Sequence, residues 1–400
     1  PHYEAVVGLQ CMRGNQIMAR KLGFTPVRTI NGTERGETLY ATAPFGDALF
    51  GLGGSDRLNG SSGWDGLFGG NGDDRLFGNG GDDWLNGGSG NDVINGGTGI
   101  DTVDYSDAAG GITLNLSSTR GQRTGGSGTD TVTNVENVNG SSFNDRLTGN
   151  GLANQLDGNG GNDQLFGMVG NDILTGGLGD DLIDGGIGID MANYADAVAG
   201  VAVNLSLAGA QDTVGSGIDA LVSIENFAGS GFNDALTGNA GANTLNGGEG
   251  ADQLVGGDGN DVLIGGAGTD IYNGGAGNDI LMAGPEAGYG DMELMTGGAG
   301  ADTFVFSWVD PALINSRNVF DFSSTEGDKI DISGVLGDLQ ASYIGNSAFT
   351  GTAGEVRVQT GFGTVVYIDM NGDSISDYSI VVGSGGFGGG TILTVDDFIF

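Results

Sequence analysis

From Gly51 to Met282 the chain sets down an apolar residue every nine positions, in three unbroken runs, 51–104, 140–193 and 229–282. The first run reads GLGGSDRLN, GSSGWDGLF, GGNGDDRLF, GNGGDDWLN, GGSGNDVIN and GGTGIDTVD. Across the 18 units the first residue is always Gly, the fourth is Gly in 15, the sixth is Asp in 16 and Asn in 2, and the eighth is apolar throughout. An interval of nine is neither a helical stripe nor a long alternating strand, and its tandem recurrence predicts a solenoid. Positions one to six bend the chain, with Gly supplying backbone angles that a Cβ forbids. The last three positions form a short strand whose central residue points inward while its neighbours point out. Two units per coil then place Leu58, Leu76 and Ile94 in one internal stack and Leu67, Leu85 and Val103 in the opposing one.

A longer period of 89 residues lies above the nonapeptides, because each run of 54 is followed by a 35-residue connector. Tyr105, Asp107, Asn115, Leu116, Ser117, Asp130, Glu136 and Asn137 return 89 residues later as Tyr194, Asp196, Asn204, Leu205, Ser206, Asp219, Glu225 and Asn226. Each connector holds an alternating segment (Ile112, Leu114, Leu116; Val201, Val203, Leu205) and a lone nonapeptide, GGSGTDTVT from Gly125 or VGSGIDALV from Val214. The connectors are therefore expected to continue the coil with longer turns. The organisation predicted is an N-terminal cap or remnant of an upstream domain over 1–46, the repeat region over 47–282, and a distinct C-terminal part over 283–400.

Composition narrows the chemistry. Of 400 residues 85 are Gly and only 5 Pro, which excludes collagen. The formal charge of −38 repels nucleic acid and anionic lipid. Residues 1–46 carry five basic and three acidic groups, so the negative excess lies entirely beyond them. One Cys (Cys11) makes no internal disulfide, and one His (His2) leaves little for imidazole chemistry. No apolar stretch spans a bilayer, and Pro1–Gln10 has no secretory leader pattern. A first residue other than Met is expected of a processed product or a fragment.

The sixth residue ends the turn, so coils one strand spacing apart, about 4.8 Å, stack their aspartates. Unit charges at that separation repel by about 1 kcal/mol in water. A hard cation taking carboxylate and carbonyl oxygens turns the repulsion into a bridge, which is the coordination chemistry of Ca²⁺. The metal ligands predicted are Asp56, Asp65, Asp74, Asp83, Asp92 and Asp101 in the first run, and Asp145, Asp163, Asp172, Asp181 and Asp190 in the second. Asp234, Asp252, Asp261, Asp270 and Asp279 follow in the third, and Asp302 in the further unit GGAGADTFV. Pairs one coil apart, such as Asp56 with Asp74 or Asp83 with Asp101, give on the order of a dozen sites.

GGSGNDVIN, GGDGNDVLI and GGAGNDILM resemble the GGxGxDxUx units of the repeats-in-toxin, hemolysin-type calcium-binding proteins. The resemblance covers about 236 residues. It implies an all-β fold, a parallel β-roll binding Ca²⁺ between turns, and export by type I secretion machinery. Asn154 and Asn243 at the sixth position, and Phe143, Leu152 and Phe232 at the fourth, depart from the pattern and leave the first coils of runs two and three in question as calcium sites. The segments VFDFSSTEGDKIDIS, FTGTAGEVRV and TVVYIDMNGDSISDYSIVV and the terminus VDDFIF resemble the C-terminal secretion domain of serralysin-type proteases. Asp397 followed by Phe398, Ile399 and Phe400 resembles the uncleaved signal read by type I exporters, which accounts for the missing N-terminal leader.

The protease half of that family has no counterpart, since it needs His-Glu-x-x-His; no Gly-x-Ser-x-Gly elbow occurs either. The chain is expected not to be an enzyme unless a catalytic domain lies upstream. Asp369, Asn371, Asp373 and Asp377 follow the early spacing of an EF-hand loop, but Ser374 replaces its Gly and Ile380 its closing Glu, so a metal site and a plain turn both stay open there. Gln10–Phe24 fits one short helix, and Trp64 and Trp84 fall at outward positions with a surface-packing role. The function expected is a secreted calcium-binding protein, unfolded where Ca²⁺ is scarce and folding outside, where each site at tenfold excess ligand adds about 1.4 kcal/mol. A structural or adhesive surface role, and the carrier part of a secreted enzyme or toxin, are the alternatives.

Overall fold

The computed structural model describes residues 28–42, 46–284, 292–307, 316–361, 363–383 and 392–400. Cys11, His2 and the helix expected over Gln10–Phe24 lie outside them. The chain forms two compact units: the first ends at Gly176 and takes back Asp184–Gly188, and the second holds Gly177–Ile183 and Ile189–Phe400. Both are almost entirely β. Among the described residues the helices are one α-turn, Ser333–Leu336, and one 3₁₀ turn, Val395–Asp397, and no helix is long and apolar enough to cross a membrane.

In the first unit the nonapeptides wind into a parallel β-roll. One face stacks Arg28–Asn31, Asp47–Gly53, Gly66–Asn71, Trp84–Ser89 and Thr102–Asp104 in parallel. The opposite face stacks Thr38–Tyr40, Arg57–Asn59, Arg75–Gly80 and Val93–Thr98. Leu58, Leu76 and Ile94 fall in register on one face, and Leu67, Leu85 and Val103 on the other. All six are fully buried; each such side chain stabilises the fold by about 1.5–3 kcal/mol. Residues 28–42 supply the first coil, so part of the predicted cap is built as roll.

The first connector continues the coil on one face only. Asn137–Asn139 pairs in parallel with Thr102–Asp104 before it and Gln155–Asp157 after it. On the other face Thr129–Thr133 stacks on Val93–Thr98, but its far edge is taken by an antiparallel partner, Gln122–Arg123. A new sheet starts there with Thr113–Asn115 against Arg146–Thr148. The alternating segment Ile112, Leu114, Leu116 is thus a strand as expected, with all three side chains buried.

The second unit repeats this plan. Asn226–Ala228 joins Met191–Asn193 to Thr244–Glu249, while Ala210–Asp212 pairs antiparallel with Ile218–Val222. Strand pairing runs on past residue 282: Met292–Ala299 stacks on Ile271–Ala276, and Thr303–Val305 on Ile280–Met282. Lys329–Asp331 and then Phe398–Ile399 extend the same face. On the opposite face Ser316–Val319 meets Tyr378–Val382, the first strand of a meander with Thr364–Asp369 and Glu355–Thr360.

Candidate metal centre

The turns carry the predicted aspartates inward. All 17 are at most 3 % exposed, which is unusual for carboxylates. Each coil is tied to the next by one recurrent hydrogen bond, in which the backbone N–H of one sixth-position residue donates to Oδ1 of the sixth-position Asp a coil later. In the first unit Glu37, Asp56, Asp74 and Asp92 donate in turn to Asp56, Asp74, Asp92 and Asp130, at 2.6–2.8 Å. Asp47, Asp65 and Asp83 donate likewise to Asp65, Asp83 and Asp101, and Asp101 donates to Oε2 of Glu136, at 2.7–2.9 Å. In the second unit Asp234 donates to Asp252 and Asp252 to Asp270, and Asp261, Asp279 and Asp302 to Asp279, Asp302 and Asp328, at 2.8–2.9 Å.

This bond uses one oxygen of each carboxylate. The other divides the aspartates into kinds. In Asp56, Asp74, Asp83, Asp92, Asp101, Asp252, Asp261, Asp279 and Asp302 the Oδ2 atom is buried with no hydrogen-bond donor. In Asp65, Asp145 and Asp234 it accepts the backbone N–H of the serine four residues before it, each at 2.6 Å, and the serine Oγ–H reaches the same carboxylate at 2.7–2.9 Å. In Asp130 and Asp219 it accepts the hydroxyl of Tyr105 or Tyr194, at 3.1 and 2.8 Å. Asn154 and Asn243 are satisfied at both ends of the amide: Oδ1 accepts the N–H of Asn150 or Asn239, and Nδ2 donates to the carbonyl of Glu136 or Glu225.

Buried and unpartnered, the first group resists ionisation. Burial, with the neighbouring carboxylates adding to it, pushes Asp83 up to about 8, Asp92 and Asp252 to about 7, and Asp74, Asp101, Asp261 and Asp302 to about 6. The backbone N–H each accepts offsets only part of that rise.

The donor set fits a hard cation. A Cβ at Gly69 would lie 2.5 Å from both Asp74 Oδ2 and the Gly87 carbonyl oxygen, so the first-position Gly leaves open a small space where carboxylate and carbonyl oxygens converge. Oxygen-only ligation of this kind suits Ca²⁺.

The sequence matches a family model of the RTX calcium-binding nonapeptide repeat over residues 44–76, 68–103, 135–165, 157–192, 228–263 and 247–281. The chain carries RTX calcium-binding repeats. No curated protein matches the chain. The RTX matches cover all three nonapeptide runs, and with the parallel sheets they establish a calcium-binding repeat protein built as a β-roll.

Several ladder members escaped the sequence reading. Asp47, Asp328, Glu136 and Glu225 occupy the sixth-position place of coils without the full nonapeptide pattern, each with a buried apolar residue two places on: Leu49, Ile330, Val138 and Phe227. That acid-x-apolar spacing is the signal that finds them. The fifth position was also missed. Its side chain accepts the N–H of the next coil, as from Asn91 to Asp73 Oδ1 (2.8 Å), Ile100 to Asp82 Oδ1 (2.9 Å) and Asn278 to Asn260 Oδ1 (2.8 Å). The EF-hand-like loop is tied by its own amides: Gly372 and Ser374 donate to Asp369, Met370 to Asp377 and Ile375 to Asp373, at 2.6–2.9 Å. Trp64 is half-buried, and Trp84 packs half-buried against Ala48, Phe50 and Phe68.

Proposed function

We propose that the protein is a secreted, non-catalytic calcium-binding protein whose roll folds on meeting Ca²⁺ after export by type I machinery. The observation that carries this reading is the row of buried Asp Oδ2 atoms with no donor. An unsatisfied buried carboxylate destabilises a fold by several kcal/mol unless paired, and the chain stacks them coil upon coil. Calcium supplies positive charge and Lewis acidity at these oxygens when bound; the chain's own part is to bury the carboxylates, hold Oδ1 by a backbone amide and aim Oδ2 into the turn. Where free Ca²⁺ is scarce, repulsion keeps the acidic chain open and able to thread a channel.

The C-terminus supports the same order of events. Phe398–Ile399 is a strand of the roll, and Asp397 accepts the N–H of Thr394 at 2.6 Å. Asp397 and Phe398 are buried in the fold, so a signal made of Asp397, Phe398, Ile399 and Phe400 is open in full to an exporter only before folding. Circular dichroism of the full chain in millimolar Ca²⁺ and in excess chelator tests the folding step: strong β signal only in calcium is expected, and equal signal in both rejects it. Removing residues 397–400 is expected to retain the protein inside a cell carrying the exporter.

A further inference from the structure

Serine at the second position of a repeat changes the turn. In the open turns that position has left-handed backbone, as at Gly70 (φ 102°), Gly88 (φ 83°) and even Leu52 (φ 77°), and the strand runs on through the third position, as in Trp84–Ser89. At Ser61, Ser141 and Ser230 no left-handed residue occurs. The strand stops short, at Asn59, Asn139 and Ala228, and the serine N–H and Oγ–H turn onto the carboxylate.

The serine N–H thus fills the place where, in an open turn, Oδ2 is bare, and the hydroxyl adds a second donor to the carboxylate, on Oδ2 of Asp65 and on Oδ1 of Asp145 and Asp234. A left-handed Leu is itself unfavourable by about 1–2 kcal/mol, so at Leu52 the open form is not what the backbone adopts for its own sake. Each run holds one serine turn, at or next to its start: GSSGWD, GSSFND and GSGFND.

We propose that the turns at Ser61, Ser141 and Ser230 hold Asp65, Asp145 and Asp234 without a cation, so that each run has a metal-independent coil near its start. The proposal rests on the calcium reading of the open turns, and one experiment separates the two. Crystals of the full chain grown in Ca²⁺ and exchanged into Tb³⁺ are expected to show anomalous peaks beside the open-turn carboxylates and none at the three serine turns. Terbium against any of those serine-held carboxylates overturns the proposal; no terbium anywhere in the roll overturns the calcium reading beneath it. In solution, Gly88→Ser is expected to bind one calcium ion fewer than the parent by equilibrium dialysis while keeping its β signal. An unchanged ion count in folded Gly88→Ser contradicts the proposal, and the terbium map decides should that variant not fold.

Discussion

The turn before Asp92 and the turn before Asp145 share a register, a first-position Gly and an inward carboxylate, yet only the second is complete by itself. Asp145 takes the N–H and Oγ–H of Ser141 and the N–H of Ile112; Asp92 takes the N–H of Asp74 and leaves Oδ2 bare. The second turn has Ser in place of Gly at the second position and Phe in place of Gly at the fourth, and it is the serine that supplies the added donors. The comparison teaches that a repeat can keep its fold while individual turns differ in what satisfies the carboxylate: a serine at Asp65, Asp145 and Asp234, a tyrosine at Asp130 and Asp219, and no side-chain donor on Oδ2 in the open turns.

Acid offers the widest break in the comparison. Burial holds Asp74, Asp83, Asp92 and Asp252 at about 6 to 8 in the fold, above about 3.9 for an unfolded Asp, and raises Asp56 and Asp279 in the same direction. A group raised in the folded state lends stability below its unfolded value and loses it as pH climbs through the folded one. In chelator, lowering the pH from 8 to 5 should therefore increase folded β structure, whereas in calcium the same change should weaken metal binding. Far-UV circular dichroism reads both, and a metal-free chain indifferent to pH would break the assignment.

Beneath both kinds of turn lies the same core, so Leu85→Ala should destabilise the calcium-loaded protein by about 2–5 kcal/mol, measured by thermal or denaturant unfolding. Ser141→Ala removes a hydroxyl donor from a buried carboxylate and should lose about 1.5–3 kcal/mol, with no hydroxyl at all to lose in a Gly turn. Smallest is Asp73→Ala, which deletes the exposed fifth-position bond to Asn91 and should lose about 0.5–1.5 kcal/mol without altering the number of calcium ions bound.

Much of this was legible in the chain. The nine-residue interval placed Leu58, Leu76 and Ile94 opposite Leu67, Leu85 and Val103, because a buried strand centre admits only apolar residues. It also pointed to the sixth-position acids and questioned the coils at Asn154 and Asn243, whose amides are internally satisfied. The serine turns were legible only in part: Phe143 and Phe232 at the fourth position already set the coils of Asp145 and Asp234 apart, whereas Asp65 looks like every other sixth-position acid until the hydrogen bond from Ser61 is seen. Nor did alternation in the connectors reveal that Gln122–Arg123 would run antiparallel and end one sheet, since strand direction is set by the partner edge and not by side-chain period. Phe50 and Phe68, at outward ninth positions, are buried and stacked with ring centroids 4.7 Å apart, a packing no nine-residue pattern encodes.

Hydrogen exchange read by mass spectrometry, on the full chain at neutral pH in millimolar Ca²⁺ and again in chelator, reaches the central claim most directly. Peptides spanning Gly69–Asp101 and Gly247–Asp279 should be strongly protected in calcium and should exchange freely once it is removed. Protection of those turns to the same degree in both conditions would show that their carboxylates need no metal, and would contradict the account.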